Sequence, residues 1–178
     1  MNRNGKAPWV TRTAAITALL VVLQAVTAPL GNTLLTGSLV NMLLIVSVMT
    51  CGLLTGISVA VVSPAVAKLI GIGPLWSLIP FIIAGNAVLV LCWHLIGNGK
   101  RPCLAAAAAV AAAALAKFLV LYTGVVKVAI PLLLDLPAPQ AAAVSGMFSV
   151  PQLITAVTGG ALAAVLIPRM KRAAAGGR

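Results

Sequence analysis

In 178 residues there are 12 Lys and Arg, one acidic residue and one histidine, with 62% apolar and only 7% charged positions. Soluble domains carry roughly 25% charged residues, so this composition cannot make a hydrated globular surface and reads as an integral membrane protein. One Asp (Asp135) and one His (His94) leave little for the paired carboxylates, or carboxylate with base or metal, of hydrolases and phosphotransferases.

A helix needs about 20 apolar residues to cross a ~30 Å hydrocarbon layer. Read between Gly, Pro and charge punctuation, the chain offers six such runs: 11–29, 37–50, 52–70, 77–96, 103–126 and 148–167. Arg3 and Lys6 precede the first and Arg12 stands at its start, the order of a secretory leader, but the run is long for one and Ala28 is followed by Pro29. It therefore reads as a span, with residues 1–10 ahead of it. Only Cys51-Gly52 separates the second run from the third, which predicts a tight helical hairpin. The fifth contains an alanine tract, 105–114, broken only by Val110, strongly helical and permissive of close helix contact. A long connection, 127–147, follows it through Pro131, Asp135, Pro137 and Pro139. After the sixth run comes a basic tail, 169–178. The predicted fold is all-α: one domain over 11–168, a bundle of six transmembrane helices.

Positive charge sets the topology. Nine of the twelve basic residues lie in the N-terminal segment, in the Lys100-Arg101 loop or after residue 168, which six spans place on one side. Both termini are therefore expected in the cytoplasm, with Trp9 and Trp93 at the inner interface and Trp76 at the outer. The basic residues lie between apolar runs instead of forming one patch, which argues for the bilayer and against nucleic acid as the partner. Three cysteines, Cys51, Cys92 and Cys103, lack metal-ligand spacing.

Laid on this topology, the polar residues within the spans gather toward the outer side, Gln24, Asn41, Ser63, Lys117, Tyr122 and Gln152 in the outer halves and Asn86 near mid-depth, while the inner halves hold little beyond Ser47, Cys92, His94 and small hydroxyls. Such groups are costly in lipid and face a bundle interior or a watery cavity, so this layer predicts a substrate pocket near the external face. Interhelical hydrogen bonding is the alternative use for them. Lys117 lies ~21 Å along its helix from Cys103, about 10 Å short of the outer edge. Two readings stand: a stem that snorkels outward, or an inward ammonium with no carboxylate to meet it, which an anionic ligand would complete. No metal or cofactor is expected. Haem ligation would fall to Met42, Tyr122 or Met147, since His94 is far from the polar layer. Small residues make two stripes, Ala14 with Ala18 and Gly52-Gly56-Ala60, of the kind that admits another helix closely.

The chain resembles the substrate-binding S components of energy-coupling-factor transporters, the prokaryotic uptake systems for vitamins and other micronutrients. The likeness rests on six spans in under 200 residues, basic ends, Ala14-x-x-x-Ala18, the segment Thr36-Gly37-Ser38-Leu39-Val40-Asn41, the third span with Ser63-Pro64, and Ile79-Pro80-Phe81 with Gly85-Asn86. It implies a non-enzymatic subunit of the cytoplasmic membrane that binds cargo between its helices near the external face. It also implies docking, through Ala14 and Ala18, on a transmembrane coupling protein driven by two ABC-type ATPases. The chain has no phosphate-binding G-x-x-x-x-G-K-[ST] loop, so ATP hydrolysis would belong to those partners. Acidic and tryptophan-rich pocket residues of a thiamine binder are missing, and Lys117 favours an anionic or carboxylate-bearing cargo. A stand-alone permease and a cargo-free membrane scaffold are the competing readings. The permease would want an intramembrane acid for ion coupling.

Overall fold

The computed structural model describes residues 6–99 and 102–176, and among these every regular element is helical. Seven helices follow one another: α1 (Lys6–Thr27), α2 (Thr33–Cys51), α3 (Leu53–Leu69), α4 (Ile79–Ile96), α5 (Pro102–Leu121), α6 (Ala138–Met147) and α7 (Val150–Gly176). Lipid offers no hydrogen bonds to a backbone, so a chain this apolar must satisfy its amides within each segment. Five segments are long and apolar enough to cross a membrane: Trp9–Leu30, Thr33–Cys51, Trp76–Ile96, Pro102–Leu133 and Ala138–Ala173. The sixth, α3, is apolar but 17 residues long, or ~26 Å. Large aliphatic side chains cover the outside, with Leu95, Leu132 and Leu69 each more than 70% exposed. A surface of this kind has lipid as its solvent, and the chain is a multi-pass helical membrane protein.

Local chemistry explains the breaks. Asn32 caps α2, its side chain accepting from the Leu35 N–H at 3.0 Å. At Gly52 (φ 91°, ψ 170°) the chain leaves α2 and enters α3 with no other residue between them, a backbone conformation that only glycine adopts freely. Pro80 sits in the first turn of α4, where its missing N–H costs nothing.

The helices run further than the apolar runs predict. α5 continues as wide, π-helical turns over Tyr122–Leu133, so the first part of the expected 127–147 connection is helical and the rest holds α6. α7 carries Arg169, Lys171 and Arg172 on its last turns, so the described part of the basic tail is helix. Arg3, Lys100, Arg101 and Arg178, four of the nine residues in the charge argument, lie outside the described residues, as do residues 1–5 of the N-terminal segment.

α2 is the central helix. Leu43 through Val48 are all buried, with Leu44 and Ile45 at 0% exposure, as expected for a helix surrounded on every side. It packs against α1, α3, α4 and α7, while α5 packs against α4 and α7. Gly37 meets Thr155 while Gly159 meets Ser38 and Asn41, so α2 and α7 run in parallel. Asn86 and Gly99 of the α4 side meet Lys117 and Ala105 of α5, so α4 and α5 are antiparallel. The N-terminal ends of α2, α4 and α7 thus share one end of the bundle with the C-terminal part of α5. Arg169, Lys171 and Arg172 belong to the other.

Trp93 departs from the interfacial position expected for it: at 2% exposure it is packed into the core. The indole shares the main core with Ala109, Ala113 and Ala114 of α5, and a Cβ added at Gly160 of α7 would stand 3.5 Å from its ring. The Gly56-Ala60 stripe is also used internally. Gly56 lies directly against Val48 of α2 and Val90 of α4, and Ala60 is fully buried.

Candidate functional site

The end of the bundle that gathers the N-termini of α2, α4 and α7 encloses a cavity of about 190 Å³. Five of the seven polar residues expected there line it: Gln24 from α1, Asn41 from α2, Asn86 from α4, Lys117 from α5 and Gln152 from α7. The other two sit elsewhere. Ser63 is 1% exposed in α3, its hydroxyl without a partner, one residue before the cavity-lining Pro64. Tyr122 is half-buried and stacks on Phe118, ring centroids 5.6 Å apart, with the Lys127 ammonium 5.6 Å from its ring centroid. Both have the right depth but the wrong rotation about their helix axis.

Lys117 organises the floor. It is 4% exposed, so its stem does not snorkel. Its Nζ donates to Asn41 Oδ1 at 2.6 Å and to Asn86 Oδ1 at 2.7 Å. Asn41 Nδ2 in turn donates to Thr155 Oγ1 at 3.3 Å, and the Thr155 hydroxyl donates to the Gln152 carbonyl at 3.1 Å. This chain has one direction only. A lysine ammonium can only donate and a backbone carbonyl can only accept, so the amide of Asn41 and the threonine hydroxyl between them cannot reverse. Thr155 was not among the residues expected from sequence. Its position one helical turn after Gln152, on the same face of α7, is the signal that could have found it.

The same logic fixes Asn86. Its carbonyl faces Lys117, so its NH₂ turns away from the lysine, and among the described residues it has no hydrogen-bond partner. Because Asn86 lines the cavity, that NH₂ is available to an occupant. Lys117 itself holds three donors against two carbonyls. Both of its partners are neutral amides. The only carboxylate side chain in the sequence, Asp135, lies in the connection between the π-helical turns and α6. A buried cation without a counter-charge is expensive, and a cavity beside it is where an anion would relieve that cost. The remaining walls are apolar, among them Val40, Ile79, Ile82, Leu121 and Phe148.

At about 190 Å³ the cavity is smaller than the ~300–1,000 Å³ typical of drug-sized ligands. The three residues weighed for haem do not converge on it. Met147 lines it, Met42 packs on the main core, and Tyr122 stacks on Phe118. Among the described residues no group of three His, Cys, Asp or Glu comes together.

A second concavity lies on the flank of α1. Ala14 and Ala18, both exposed, line an apolar groove of about 570 Å³ with Val21, Val22, Val62 and Val66. Unlike the glycine stripe of α3, this alanine pair is not covered by another of the described helices. The alanines leave α1 without bulk there, and valines of α1 and α3 form the banks.

No family model matches the chain, and comparison with curated proteins and with solved structures finds no match to either.

Proposed function

We propose that the chain is the substrate-binding S component of an energy-coupling-factor importer in a prokaryotic cytoplasmic membrane. It captures a small anionic or carboxylate-bearing micronutrient at the external face. In this reading both termini are cytoplasmic, the cavity end faces outward, and cargo is handed inward when the chain docks on a coupling protein powered by two ABC-type ATPases. The chain itself is not an enzyme.

The observation that carries the reading is the floor of the cavity: a buried lysine, held by two neutral amides and facing a space enclosed by α1, α2, α4, α5 and α7. Intramembrane ionisable residues face functional cavities by default, and one that lacks a counter-ion points to a ligand that brings it. The uncovered alanine pair of α1 supports the docking half of the proposal, since small residues let a partner helix approach closely. Cavity and groove share no lining residue, so cargo and partner would bind without competing for the same side chains.

The test is to tag the full chain, extract it gently from its own host and identify co-purifying proteins and metabolites by mass spectrometry. Two ABC ATPases with a transmembrane coupling protein are the expected companions. Recovery of the chain alone, from cells that express such a module, would overturn the proposal in favour of a solitary permease or scaffold.

A further inference from the structure

We infer that the cavity selects a small organic monoanion, a monocarboxylate with a short alkyl chain or a single ring, its acid group on Lys117 and Asn86 and its apolar body against Ile79, Ile82, Leu121 and Phe148. The inference rests on the substrate-binding reading above and narrows its cargo.

Three features of the site lead there. The first is polarity. The one-way hydrogen-bond chain from Lys117 through Asn41 and Thr155 to the Gln152 carbonyl uses up the acceptors on the floor and leaves donors facing the cavity. What remains on the floor is the third Lys117 N–H and the NH₂ of Asn86, whose orientation Lys117 itself dictates, while the amides of Gln24 and Gln152 lie elsewhere on the lining. Two donor groups held by one floor match the two oxygens of a carboxylate, and the ammonium supplies a charge-assisted bond. A cationic amine would instead meet the like charge of Lys117 at that floor.

The second is charge count. One cation lines the cavity and no carboxylate does. A monoanion neutralises it. A dianion would bury an unpaired charge, and a zwitterion would bury an unpaired ammonium, each at a cost of several kcal/mol in an apolar site.

The third is size and lining. At about 190 Å³ the cavity is smaller than the ~300–1,000 Å³ of drug-sized sites, which favours a short alkyl chain or a single ring. An inorganic anion would fill the floor but leave the aliphatic and Phe148 walls facing water, so the apolar lining argues for an organic body. Gln24 and Gln152, the two remaining polar residues, also line the cavity, and Gln152 donates from its Nε2 to the Met147 carbonyl at 3.1 Å. That bond ties the side chain to the residue where α6 ends.

The experiment measures thermal unfolding of the purified full chain against hexanoate, benzoate, hexylamine, benzylamine, adipate and sodium chloride at matched ionic strength. Hexanoate or benzoate is expected to stabilise saturably, the two amines not at all, and adipate at least about tenfold more weakly. Asn86→Asp, nearly isosteric, should weaken carboxylate binding at least about tenfold, because the new carboxylate pairs with Lys117 and occupies the ligand's place. Lys117→Met, which fills the same volume without charge, gives a second measure and should lose the same affinity. Equal stabilisation by amines, unchanged carboxylate affinity in either variant, or no response to any carboxylate overturns the inference. Chloride saturating the effect as tightly as the carboxylates overturns its organic part. The outcome is separable from that of the co-purification test. A chain that brings its ATPases but ignores carboxylates keeps the importer and loses this cargo, while one that binds carboxylates but brings no partners does the reverse.

Discussion

Two hollows in this molecule make opposite statements about what fills them. The groove on α1 and α3 is about three times the volume of the cavity that Asn41, Asn86, Lys117 and Gln152 line, yet it is the smaller one that reads as a ligand site. The groove is open and walled mostly by alanine and valine, with Trp9, Thr13 and Thr17 as its few polar-tipped neighbours and no charged group among its lining, so in a bilayer acyl chains or another helix can fill it. The cavity has a buried lysine with only neutral partners, and no lipid tail can satisfy that. Volume counts for less here than an unmet electrostatic need.

The contrast can be broken most forcefully at Gly159. A Cβ there would stand 2.5 Å from the Ser38 carbonyl oxygen and 3.0 Å from the Met42 nitrogen, both backbone atoms that cannot swing aside. Gly159→Val should prise α7 from α2, separate Thr155 from Asn41 and cost about 3 kcal/mol or more of stability. Thermal unfolding of the purified variant measures it. The groove should be unaffected by this change, because neither α2 nor α7 lines it.

A milder cut is Thr155→Val. It leaves the Asn41 NH₂ without its acceptor and should cost about 1–3 kcal/mol. Lys117 still holds the Asn41 carbonyl in this variant, but the far end of the amide loses its anchor, so carboxylate affinity should fall as well, by less than in Lys117→Met. Binding isotherms of the two variants side by side decide whether the chain orients the site or merely supports it.

On the other hollow, Ala14→Leu combined with Ala18→Leu fills exposed positions, and stability should stay within about 0.5 kcal/mol of the parent chain. Carboxylate binding should be unchanged while co-purification of the coupling protein is lost. Loss of binding in this variant would refute the separation of the two hollows. The smallest effect is expected at Tyr122, which the polar layer nominates and the fold turns toward Phe118 and Lys127. Tyr122→Phe keeps the stacked ring and should leave ligand affinity within about twofold, a difference of under about 0.5 kcal/mol.

Much of this arrangement is legible before any coordinates. The apolar runs give the helices because lipid leaves a backbone no other way to satisfy its amides, and the punctuation at Gly31, Gly52, Gly71 and Gly73 appears as positive-φ breaks between helices. Depth is legible too. Counting residues from the ends of each run puts Gln24, Asn41, Asn86, Lys117 and Gln152 at one level, and all five line the same cavity.

Rotation about each helix axis is not legible from the same count. Ser63 and Tyr122 share the depth of the others and miss the cavity, while Thr155 completes the network from a position that composition alone does not distinguish. In a soluble helix the apolar stripe would mark the inward face, but here both faces are apolar and that signal vanishes. The phase is set instead by where backbones can approach: at Gly159 against α2, Gly56 against Val48 and Val90, and Gly85 against Leu121. The sequence by itself determined an all-helical membrane chain with a polar layer near one end. Only the packing of those small residues decided which members of the layer meet, and that one of them is a lysine left without a counter-charge.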